Sequence, residues 1–168
     1  MKKSKIYFQE QQRQGVLGWL ILIFVISIFV IATIKQIGFD KQFDDQAKSD
    51  LGLIVTAVVV SLSIVLLLVF SKLQTYINAQ GIYIRYLPFQ FKYKFIDWNT
   101  IEKVYLRRYN PITEFGGWGI RRSLRGTAYI MKGRVGLQIV IMNRKKILLG
   151  TQEPEYMKNI LTKLGKIM

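Results

Sequence analysis

The sequence predicts an α+β protein. A two-helix transmembrane hairpin comes first, then a small β-barrel or sandwich of about seven antiparallel strands closed by a C-terminal helix. Three observations predict it. Residues 16–34 and 51–70 form two apolar runs without a charge, each long enough at about 1.5 Å per residue to cross a hydrocarbon core of roughly 30 Å as a helix. Beyond them the hydrophobic period falls to two. At the end, Met157, Ile160, Leu161 and Leu164 lie at i, i+3, i+4 and i+7, the stripe of an amphipathic helix.

Taken in order, residues 1–15 read as a cytoplasmic basic arm, with Lys2, Lys3, Lys5 and Arg13 against Glu10. The run at 16–34 exceeds the usual signal-peptide core and no small-residue cleavage site follows, so it reads as a retained helix. Residues 35–50 form the connection, an extracytoplasmic loop with three lysines and four aspartates. The arm and the segment from 71 onward carry four and eighteen lysines and arginines. The positive-inside rule therefore places both termini in the cytoplasm of an inner-membrane, two-span protein. Neither run holds an ionisable residue, which argues against transport. Ala57 and Ser61 have the small-xxx-small spacing that can support a homo-oligomer.

Residues 71–168 form the expected cytoplasmic β-domain. Ile82, Ile84 and Tyr86 alternate with Tyr83, Arg85 and Leu87, and Phe91, Tyr93 and Phe95 alternate with Lys92 and Lys94, the pattern of half-buried strands. Residues 74–79, 101–109, 127–131, 135–142 and 145–150 complete the set, with turns at Gly81, Pro88, 97–99, 132–134 and 143–144. Asp97 reads as a turn or cap residue. Thr151 is the expected N-cap of the last helix, with Pro154 in its first turn.

The 168 residues carry a formal charge of +15 and contain neither cysteine nor histidine. Thiol nucleophiles, imidazole bases and the usual zinc ligands are thus excluded. Asp97, Glu102 and Glu114 are not spaced as an acid–base pair, and no phosphate-loop, metal or nucleophile motif is present. No catalytic residue, metal or cofactor is assigned, and enzyme activity is not expected.

The segments YFQEQQRQ, GIYIRYLPF, RRYNPITEFGGWGIRR and ILLGTQEPEYMKNIL are similar to bacterial membrane proteins that carry a pleckstrin-homology-like domain after paired transmembrane helices. The resemblance covers nearly the whole chain. It implies seven strands and a closing helix, a non-enzymatic role, and no catalytic residues to carry over.

The candidate site lies between 105 and 134. Arg107, Arg108, Arg121, Arg122 and Arg125 surround Gly116, Gly117, Trp118 and Gly119, and Lys132 and Arg134 extend the patch. Arginines fork onto phosphate or carboxylate oxygens, glycines admit close backbone approach, and Trp118 can stack. The competing account is a solvated face with a glycine-shaped loop. The expected function is a membrane-anchored binding or scaffolding protein. Its partners would be anionic lipid head groups or an acidic partner, with another membrane protein as the alternative. Nucleic acid ranks below these: arginine is interleaved with Tyr105, Tyr109, Phe115 and Trp118, yet no recognition helix is visible.

Overall fold

The structure is a computed structural model that describes residues 5–39, 47–142 and 144–167; in the two long helices it describes no side chain at 17, 21, 33, 36–39, 47–51, 53, 54 or 57. The chain divides into two units, Met1–Arg13 with Ser71–Met168, and Gln14–Phe70.

The first unit is built from two sheets. Strands β1 (Ile6–Arg13), β2 (Lys72–Asn78), β3 (Gly81–Leu87) and β4 (Lys94–Asp97) form an antiparallel sheet in that order. The second sheet contains β5 (Ile101–Arg108), β6 (Gly119–Ser123), β7 (Gly126–Ile130), β8 (Val135–Ile141) and β9 (Lys146–Gly150). Its order is β5-β8-β9-β7-β6, with β7 and β9 parallel. Period-two alternation sends Leu73, Ile77, Ile82 and Ile84 from the first sheet, and Leu137, Ile139, Ile147 and Leu149 from the second, into one shared core. Met157 and Leu161 of the terminal helix, Pro154–Lys163, complete that core.

Several expectations are corrected. Among the described residues the unit has two open sheets of four and five strands and no closed barrel, so the expected barrel or sandwich of about seven antiparallel strands is not the fold. The two further strands are β1 and β6. β1 carries Glu10 and Gln12 inward, 5% and 3% exposed, and polar inward positions conceal a strand from hydrophobic periodicity. Glu10 is held by Thr151 Oγ1 and by the backbone N–H of Gln152, each donating at 2.7 Å, and Gln12 Nε2 donates to the Gly150 carbonyl at 2.7 Å. Thr151 therefore braces the strand instead of capping the helix through its side chain; the cap position is Glu153. Phe91 and Tyr93 lie before β4, outside any strand. Asp97 accepts from Asn99 N at 2.8 Å and caps a 3-10 turn at Trp98–Thr100.

The second unit holds helices α1 (Val16–Phe39) and α2 (Ala47–Phe70). Ser27, Thr56 and Ser63 satisfy their hydroxyls on the carbonyl four residues back, the local bond open to a helical hydroxyl. Leu22 is buried, whereas Ile23, Phe24, Val58 and Leu62 are exposed. The transmembrane hairpin is not upheld: among the described residues, no helix is long and apolar enough to cross a membrane. Crossing requires about 20 consecutive apolar residues. The two-span inner-membrane location and the cytoplasmic placement of both termini depended on those spans and are withdrawn with them. The residues of the expected outer loop at 40–46, and the Ala57 side chain of the small-residue motif, lie outside the described set.

Candidate anion-binding site

The predicted arginine-rich segment folds as a short helix and a hairpin. Asn110 accepts from the backbone N–H groups of Ile112 and Thr113 at 3.0 and 3.3 Å and so caps α3, Pro111–Phe115. Gly116 ends that helix at φ 70°, a left-handed position suited to glycine, and Gly117 and Gly119 also have positive φ. Beneath the helix Tyr109, Phe115, Ala128, Ile130 and Leu148 form a second apolar cluster, against which Trp118 is half-buried.

Glu114 is the electrostatic centre of this loop. Its carboxylate lies 2.9 Å from Arg107 Nη1 and 3.3 Å from Arg125 Nη1, and accepts from Asn110 N at 2.9 Å. Burial pushes the Glu114 carboxyl up, but the Asn110 N–H and the two arginines outweigh it and hold it below its ordinary 4.5. Arg107 is further engaged, donating from Nε to Gln138 Oε1 at 2.9 Å. Arg121 donates to the Trp118 carbonyl at 2.7 Å. Two predicted arginines are thus joined through one carboxylate and a third is turned onto its own loop.

The remaining predicted cations do not gather around them. Arg107 and Arg108 belong to β5 and Arg121 and Arg122 to β6, the opposite edge strands of the sheet. Arg108, Lys132 and Arg134 are exposed side chains. Arg122 faces Thr127 across the β6–β7 ladder and lies near enough to Lys94 and Tyr129 to influence both. Lys94 Nζ also stands 5.6 Å from the Tyr129 ring centroid. Burial first, and Arg122 second, lower the Lys94 ammonium below its ordinary value.

A different cationic grouping is formed by the fold. The turns β6–β7 and β8–β9 meet the start of β4 around a cleft of about 790 Å³, to which Lys94, Arg125, Arg144, Lys145 and Lys146 contribute, with Glu102 as the acid. Of these cations, only Arg125 belonged to the expected patch. The consecutive basic residues at 144–146 were a legible signal that could be read as no more than a hairpin turn. Lys94 was legible only as one polar position of an alternating strand. Among the described residues, no cluster of histidine, cysteine, aspartate or glutamate is suited to a metal. The arrangement can hold an anion through lysine point charges and an arginine fork.

No family model, curated protein or solved structure matches the chain. The resemblance to pleckstrin-homology membrane proteins is accordingly corrected: it is supported neither by a match nor by a closed barrel.

Proposed function

We propose that the β unit is a non-enzymatic binding module whose basic surface takes anionic lipid head groups or an acidic partner. One observation carries the reading: Lys94, Arg144 and Lys146 line one cleft at the two turns, and no ion pair among the described residues engages them. From Ser71 onward, eighteen basic and five acidic residues leave +13 by subtraction, a field that favours anionic partners. Flotation of the full chain with vesicles tests it. Recovery is expected to be higher with anionic than with zwitterionic lipid at low salt, and the difference should shrink as salt screens the contact. Equal recovery in both, with no acidic protein retained, overturns the reading.

Protein scaffolding without lipid is the second reading, and the outer face of the first sheet favours it. Tyr76 and Tyr83 stack with centroids 4.2 Å apart, Phe95 follows at 4.6 Å, and Tyr93 lies under Arg85 at 4.4 Å. Rings that cover one another's faces offer little for base stacking, so this surface supports protein contact better than nucleic acid.

A further inference from the structure

We propose that the cleft between the β6–β7 and β8–β9 turns is a site for a compact ligand carrying two or more phosphate groups. The inference rests on the binding-module reading and narrows it to one place and one chemistry. Three separated segments supply the charge: Lys94 at the start of β4, Arg125 in the first turn, and Arg144 and Lys145 in the second turn with Lys146 at the start of β9. Against them stand Glu102 in the lining and Glu114, which already holds Arg125 at 3.3 Å, so five positive charges meet two negative ones, a balance of +3 by subtraction. A single carboxylate answers one of those charges. A phosphate monoester carries about −1.5 to −2 near neutral pH, so two phosphates in one small ligand match the balance. The volume of about 790 Å³ lies within the range of roughly 300–1,000 Å³ usual for small-molecule sites.

The surroundings have the same character. Ser123 and Thr127 also line the cleft, and their residue types carry hydroxyls able to donate to phosphate oxygens. Ser123 Oγ accepts from Arg125 N at 3.1 Å, which shapes the first turn. Arg144 sits at φ 62°, a left-handed position uncommon for a side chain of this length. The second turn thus carries its arginine at a conformational cost that asparagine or glycine would avoid.

Calorimetric titration of the full chain with tripolyphosphate, inorganic phosphate and citrate at matched ionic strength tests the assignment. Tripolyphosphate is expected to bind at least about tenfold more tightly than inorganic phosphate, and more tightly than citrate. The pair Arg144→Asn and Lys146→Gln should lose roughly tenfold for tripolyphosphate, since asparagine tolerates the left-handed turn. The pair Arg108→Gln and Arg134→Gln, away from the cleft, should stay within about twofold. Equal affinities for the three anions, or equal losses in both pairs, overturn the site. Vesicles bearing phosphorylated head groups separate the sources: competition by tripolyphosphate identifies the cleft as a head-group site, and vesicle binding indifferent to it leaves a soluble ligand. If anionic vesicles bind while tripolyphosphate shows no preference, the cleft inference fails and the wider reading stands. If no anion binds, both fail.

Discussion

The loop around α3 and the cleft at the two turns are both rich in arginine and lysine, yet their charges do opposite things. At α3, Glu114 draws Arg107 and Arg125 inward and also accepts the Asn110 N–H. Those charges hold the crossing between the two sheet edges. At the turns, Lys94, Arg144 and Lys146 converge without an ion pair among the described residues. Positive charge along a chain is therefore not the same as charge available to a ligand. One well-placed carboxylate converts a candidate site into scaffolding, and Arg125 stands in both regions.

The largest expected effect comes from breaking the cleft wall. Gly126 has φ 117°, and a Cβ there would press on the Lys146 carbonyl of the neighbouring strand. Gly126→Ala should cost about 3 kcal/mol or more, combining an unfavourable backbone region with overpacking. Chemical denaturation measures it, and a loss below about 1 kcal/mol would show that the two turns are not held together there.

The buried carboxylate of Glu10 sharpens the contrast from the other side. Glu10→Ala removes the acceptor from Thr151 and Gln152 N and should cost about 2 kcal/mol, whereas Glu10→Gln keeps an acceptor and should cost less than half of that. Burial raises Glu10 above its ordinary 4.5 despite the hydrogen bonds it accepts. Its folded form therefore binds a proton more tightly than its unfolded form. That contribution is present below pH 4.5 and is lost as pH rises through the raised value. A stability profile of Glu10→Gln that keeps the same slope over this window would contradict the assignment.

Glu114 behaves in the opposite sense. Its folded value lies below 4.5, so the stability it contributes is present above 4.5 and disappears as pH falls through the folded value. Glu114→Gln should cost about 1 kcal/mol near neutral pH and flatten the acid limb of the profile. It should also free Arg125 and strengthen polyphosphate binding at the cleft; weaker binding in this variant would separate the two regions. The smallest effect is expected for Arg108→Gln or Arg134→Gln, both exposed, within about 0.5 kcal/mol in thermal unfolding.

How much of this was legible varies by element. The strands at β2, β3, β5, β7, β8 and β9 follow apolar alternation that the sequence displays openly, and the stripe from Met157 to Leu164 marks the last helix. β1 was hidden because its inward face is Phe8, Glu10 and Gln12, whose polar members bond to Thr151 and Gly150, residues far along the chain. β6 was hidden because its glycine and arginines read as loop. At the candidate site, the arginines between 107 and 125 were visible as a patch, but the placement of Arg107 and Arg108 on one edge strand and Arg121 and Arg122 on the other depends on a strand order that no local pattern encodes.

By itself the sequence determined the bulk charge, the absence of histidine and cysteine, the two apolar helices, and most of the strands. These depend on composition and on periods of two and 3.6 residues, which are local. Only the tertiary structure decided that two open sheets form instead of a barrel, that Glu114 neutralises part of the predicted patch, and that Lys94 meets Arg144 and Lys146. Those outcomes rest on contacts between residues far apart in the chain. Burial and neighbouring charges fix whether a given arginine supports the fold or faces a ligand, and neither is set by the residue's own place in the sequence.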